Sequence, residues 1–169
     1  LGKLTDTGDK DGNVVEEKEI PILDKGVVEE VLKSFLGESY QLPPMYSAVR
    51  KNGKHLYEYA RKGEEIEREP RKINIFDIRL LSLEKDNIIF SAKVSKGTYI
   101  RTLGEDIAKK LNTVGYLSSL ERLAIGNYSL KDAVKAEDVI ENNLISIEDM
   151  LKDFPSIYLD DVLSKKALN

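Results

Sequence analysis

The sequence predicts an α+β domain, a mixed, largely antiparallel sheet with flanking helices. Three observations carry this. Ile88, Phe90, Ala92 and Val94 fall on alternating positions, as in a half-buried strand, and a second run places apolar residues at Ile73, Ile75, Ile78 and Leu80. Asp86-Asn87 lies between the runs and supplies turn chemistry, so the pair reads as an antiparallel hairpin. Elsewhere apolar residues recur at helical spacing, yet strands and helices do not alternate in the regular βαβ manner. A length of 169 residues suits one domain with a sizeable core.

Taken in order, residues 5 to 13 (TDTGDKDGN) are turn-rich and read as loop, and 13 to 23 as extended chain. Val28, Val31, Leu32 and Phe35 mark a short amphipathic helix, closed by Gly37. QLPPMYSA, 41 to 48, cannot be helical through Pro43 and Pro44 and reads as an irregular arm. A second short helix is expected over about 54 to 62, ending at Gly63. In the first strand of the hairpin the alternation changes phase near Phe76. Ile100, Leu103, Ile107 and Leu111 then form one helical stripe over 99 to 111. A mixed segment follows at 116 to 128, an acidic helix is expected around 133 to 142, and 154 to 169 reads as a connection leading out of the domain.

Composition excludes several chemistries. There is no cysteine, hence no disulfide, thiolate catalysis or cysteine-bound zinc, and the single histidine, His55, cannot supply a two-histidine metal site. A Ser-His-Asp triad would have to use His55, which lies in a charged, exposed stretch. TDTGDKDG invites a calcium loop, but in the register ending at Gly12 the first and twelfth positions are Thr7 and Lys18, where carboxylates are required. No G-x-G or G-x-x-x-x-G-K-[ST] occurs, which removes the usual dinucleotide and nucleotide handles. No apolar run approaches membrane-spanning length and no signal-peptide pattern opens the chain, so a cytoplasmic address is the default.

The net charge of −4 is unevenly placed: residues 137 to 161 hold eight acids against Lys152 alone, leaving +3 for the remainder. Residues 45 to 63 carry Arg50, Lys51, Lys54, Arg61 and Lys62, interleaved with Tyr46, Tyr57 and Tyr59. Cations for phosphates and aromatics for stacking are what a nucleic-acid surface uses, although a solvated helix face with core tyrosines has the same composition. Arg101 is the other outlier. It falls in the first turn of the predicted helix, where the helix dipole favours an anion. A carbonyl or Glu105 at i+4 could hold it.

Four stretches, TDTGDKDG at 5 to 12, QLPPMYSAVRKNGKHLYEYARKG at 41 to 63, VSKGTYIRTLGEDIAKKL at 94 to 111 and YLSSLERLAIGNYSL at 116 to 130, together resemble TruB-type tRNA pseudouridine synthases. The resemblance implies isomerisation of uridine to pseudouridine at position 55 in the T-arm of tRNA, with the base flipped out of its loop and no metal or organic cofactor. It implies a catalytic aspartate, with Arg101 as the arginine that pairs with it, Tyr99 lining the base pocket and Leu120 packing beside the flipped base. It makes 41 to 68 a thumb-like insertion gripping the T-loop through Tyr46, Arg50, Lys51 and Lys54, with Lys96 near the same cleft. Arg50 stands where lysine is expected, and Glu121 where the family often has arginine.

The resemblance places the catalytic aspartate in a G-x-L-D-P-type motif ahead of the TDT segment, and a second pocket tyrosine just before Leu1. Neither is in the sequence. The expectation is therefore a fragment. Residues 1 to 152 would be the C-terminal portion of the catalytic domain, and 153 to 169 a connection toward a PUA-like domain. Such a fragment should be inactive alone and should expose apolar surface that drives self-association. Three competing readings stand beside it: a non-catalytic RNA-binding module, a synthase domain that works with a guide RNA, and an interaction domain using the acidic 137 to 161 segment.

Overall fold

The computed structural model describes residues 1–167, in two units, Leu1–Leu120 and the chain from Glu121 onward. In the first, β1 (Lys3–Thr5) and β2 (Val14–Glu17) form an antiparallel ribbon around the TDTGDKDG turn. Helix α1 (Lys25–Lys33) follows, begun by Asp24, whose carboxylate accepts from Val27 N at 3.1 Å. Strand β3 (Gly37–Gln41) leads into the arm, where β4 (Arg50–Lys51), β5 (Lys54–His55) and α2 (Leu56–Ala60) lie close in sequence. The long β6 (Arg71–Leu83) and β7 (Ile88–Val94) make the expected hairpin, and α3 (Ile100–Lys110) closes the unit.

The main sheet is antiparallel in the order β3-β6-β7. One face is covered by α1 and α3: Val28, Leu32, Ile75, Ile78, Leu103, Ile107 and Leu111 form a single buried cluster. Leu103 is 1% exposed, and burying a leucine this fully contributes roughly 2 kcal/mol. The phase change near Phe76 is a bulge. Register shifts between Ile75 and Asp77 and again between Leu80 and Ser82, and each bulge turns its extra residue, Phe76 or Leu81, to solvent.

The arm departs from expectation at one point. The second helix was expected from about residue 54, but Lys54 and His55 belong to a strand, and α2 starts at Leu56. Asn52 (φ 53°) and Gly53 (φ 81°) form a tight turn with both central residues left-handed, the conformation that joins two-residue hairpins.

In the second unit β8 (Ala124–Ile125) pairs with β9 (Tyr128–Ser129), and two short helices follow, α4 (Ile147–Met150) and α5 (Asp161–Ala167). The expected acidic helix around 133 to 142 does not form; 3-10 turns at Ala136–Asp138 and Glu141–Asn143 take its place. Asn143 Oδ1 accepts from Ile140 N at 2.9 Å, a side-chain bond that competes with helical pairing, and every described residue from 133 to 142 is exposed, so no buried face rewards a helix. The 154 to 169 segment, read as a connection, carries α5 over its described part.

Candidate functional site

The loop between β1 and β2 folds back onto the first turn of α3. Gly8 makes this possible: its φ is +73°, and a Cβ there would stand 2.5 Å from Glu105 Oε1. Leu117 N donates to Gly8 O at 3.0 Å and fixes the loop from its other side. Within the loop Thr5 Oγ1 donates to Asp9 O and Thr7 Oγ1 to Asp9 Oδ1, both at 2.7 Å, and Asp11 N reaches the same oxygen at 3.2 Å. Asp9 Oδ2 is left facing α3.

Arg101 fills that position. Its Nη1 donates to Asp9 Oδ2 at 3.0 Å and to Thr7 O at 2.9 Å, and its Nη2 to Tyr46 O at 2.8 Å. The cation at the unfavourable end of α3 thus has a carboxylate and two carbonyls, from residues distant in sequence. Neither local option is used for hydrogen bonding: both carbonyls are long-range partners, 94 and 55 residues away in sequence. Glu105 contributes only through its field, and burial, the larger effect, raises its pKa above the usual carboxylate value. Asp9 moves the other way. The Thr7 hydroxyl bond lowers its pKa most, with the Asp11 amide and Arg101 adding to the effect and partial desolvation opposing it.

An arginine offers five N–H donors. Three are engaged, and among the described residues Nε has no hydrogen-bond partner, so the guanidinium keeps two donors for one more acceptor. Tyr99 is the cap residue of α3, half-buried, and its backbone is clamped by the buried Gln41: Tyr99 N donates to Gln41 Oε1 at 2.8 Å and Gln41 Nε2 donates to Tyr99 O at 3.1 Å. The arm is therefore bound to α3 at both Tyr99 and Arg101.

The remaining predicted residues lie outside this network. Leu120 is 61% exposed, and Lys96 is exposed in the loop before α3. In the arm, Arg50 and Lys54 are exposed, whereas Lys51 is half-buried with Nζ donating to Glu67 O at 2.5 Å. Lys54 Nζ lies 5.9 Å from the Tyr59 ring centroid and the Arg61 guanidinium 5.2 Å from that of Tyr57. Sequence reasoning missed Asp9 and Gln41. Asp9 belongs to the TDTGDKDG stretch, tested as a cation loop and counted in the resemblance without a role for Asp9; nothing local signalled Gln41, whose role depends on the sheet.

A sequence profile described as TruB family pseudouridylate synthase (N terminal domain) matches residues 1–100. The chain is similar to tRNA pseudouridine synthase B of Clostridium kluyveri, with 42% identity over 100% of this chain and 60% of that protein. The corresponding protein of Hydrogenovibrio crunogenus is also 42% identical, over 100% of this chain and 57% of its own length. That of Mesoplasma florum is 42% identical over 97% and 58%. The chain thus spans less than two thirds of these relatives. Among solved structures, a chain in the crystal structure of a Cbf5-Nop10-Gar1 complex superposes with a TM-score of 0.56 at 26% identity, covering 70% of this chain and 31% of that one.

Proposed function

The chain belongs to the TruB family of pseudouridylate synthases, and from that membership we propose that the protein it represents isomerises the T-loop uridine 55 of tRNA to pseudouridine. The glycosidic bond from C1′ to N1 breaks, the base turns, and C1′ bonds to C5; the proton leaving C5 is balanced by the one N1 acquires. A stacked base cannot present that bond, so the uridine is flipped against Tyr99 and Leu120. The arm of 41 to 68 grips the T-loop through Tyr46, Arg50, Lys51 and Lys54, with Lys96 alongside.

One observation carries the reading: Arg101 is held by Asp9, Thr7 and Tyr46 and still has two N–H donors to give. A planar guanidinium fixed in this way can receive an incoming carboxylate through two parallel bonds and keep it ionised, as a nucleophilic aspartate requires. Asp9 is not that carboxylate in this reading, because both of its oxygens are engaged and its place is behind the arginine. In this reading the 169-residue chain alone is inactive, with residues 1 to 152 as the C-terminal portion of a catalytic domain and 153 to 169 as a connection toward a PUA-like domain.

Two assays test this. In a preparation that forms pseudouridine in an unmodified T-arm, Arg101→Ala should lower turnover on the order of 10²-fold or more while RNA affinity changes little. Activity near wild type would instead favour a non-catalytic RNA-binding module. When the 169-residue chain itself is mixed with the same RNA, no pseudouridine should form; turnover would put the nucleophile inside this chain and make Asp9 its first candidate.

A further inference from the structure

The Asn52-Gly53 turn makes Arg50 and His55 cross-strand partners. His55 Nδ1 lies 2.8 Å from Ala48 O, and a carbonyl only accepts, so Nδ1 carries the hydrogen. Nε2 receives Arg50 Nε–H at 3.3 Å, and a guanidinium only donates, so Nε2 carries the lone pair. One neutral tautomer satisfies both bonds. The same imidazole is stacked on Tyr57, with centroids 5.1 Å apart and planes within 11°. Arg61 lies 5.2 Å from the other ring of that stack. Guanidinium, imidazole, phenol and guanidinium thus run in series across β4, β5 and α2. The other charges of this element are engaged: Glu58 accepts from His55 N at 3.3 Å, and Lys54 sits over Tyr59.

Arg50 is exposed, and only its Nε is used; its two terminal nitrogens have no partner among the described residues. We infer that His55 is a positioning residue that holds Arg50 by its Nε and aims the terminal Nη1/Nη2 fork at a phosphate of the bound RNA strand. An unheld exposed arginine would lose rotamer entropy when it took a phosphate; one fixed at Nε has lost part of it already. The arrangement also gives a physical reason for arginine at 50 where the resemblance leads to lysine. A lysine would have to serve imidazole and phosphate from one nitrogen, whereas a guanidinium bound at Nε has a separate Nη1/Nη2 edge to offer. The inference rests on the reading of 41 to 68 as the RNA-gripping arm.

Two substitutions separate the ring's bonds. His55→Asn can keep a donor toward Ala48 O but cannot reach Arg50, while His55→Gln can place an acceptor near Arg50 Nε. Binding of a fluorescein-labelled T-arm hairpin RNA to the full chain is followed by anisotropy over a range of salt. Arg50→Ala should weaken binding roughly five- to tenfold and lower the slope of log K against log salt by about 1, as for one lost phosphate contact. H55N should reproduce most of both effects, H55Q should restore at least half of the affinity lost in H55N, and the R50A/H55N double variant should bind no more weakly than R50A. Wild-type affinity and slope in H55N, with R50A still weak, would overturn the inference and leave the arm's role standing. Wild-type binding in R50A and in Lys54→Ala, or no binding by the wild-type chain, would overturn the arm's role, and the inference with it. Ring ¹⁵N spectra of the free chain check the tautomer without RNA: hydrogen on Nδ1 is expected, and hydrogen on Nε2 overturns the proposal.

Discussion

Asp9 and Glu105 both feel the charge of Arg101, yet they titrate in opposite directions. Asp9 is held below its usual range, first by the Thr7 hydroxyl. Its ionised form therefore stabilises the fold above the ordinary carboxylate range, and that contribution is lost as pH falls through its lowered pKa. Asp9→Asn should cost about 1 kcal/mol at neutral pH, discounted because a third of the side chain is exposed, with the gap to wild type closing in acid. Glu105 is half-buried and pushed up, so its charge opposes folding at neutral pH and the opposition lifts as pH falls through the raised pKa. Glu105→Gln should therefore raise the urea midpoint at neutral pH and flatten the gain that wild type shows on acidification. An unchanged midpoint would mean that the carboxylate is better solvated than the Gly8 loop allows.

At the scale of elements, the arm depends on a two-residue turn rather than on burial. Gly53 adopts φ +81° and Asn52 φ +53°, and Gly53→Val should cost roughly 1–2 kcal/mol there, since a branched side chain is strained in the left-handed region. The loss should be local: faster hydrogen exchange at Leu56 N, which donates to Val49 O at 2.8 Å, with unchanged protection at Leu103 N in α3. Equal loss at both amides would show that the arm and the core open together. The Asn-Gly dipeptide advertises this hairpin in the sequence, but the helix expected over about 54 to 62 took in Lys54 and His55, which belong to a strand. By contrast, the change of phase near Phe76 was readable and corresponds to a bulge, because side-chain alternation reports register directly. The acidic 133 to 142 stretch misled for the opposite reason: its composition permits a helix, but no packed surface stabilises one.

For the whole molecule, the strand order β3-β6-β7 leaves β7 at an edge of the main sheet, with Ile89 48% exposed and Phe76 and Leu81 exposed on β6. We expect concentration-dependent self-association of the 169-residue chain in sedimentation velocity, reduced by Ile89→Lys, as charge blunts an exposed edge. A monomer at all concentrations would show that this edge is already protected. The chain from Glu121 onward carries ten acids against six bases, which leaves the first unit neutral overall, with a local concentration of cations in the arm.

The sequence by itself determined the α+β class, the hairpin, both core helices and the position of Arg101. These are set by short-range sterics and by the period at which apolar residues recur. Only the tertiary structure decided what Arg101 holds. Asp9 lies 92 residues away and the Gln41 clamp on Tyr99 spans 58, separations at which no local spacing carries information. Those contacts exist because β3 and the Gly8 loop are brought against one end of α3 by the burial of its Leu103, Ile107 and Leu111 face.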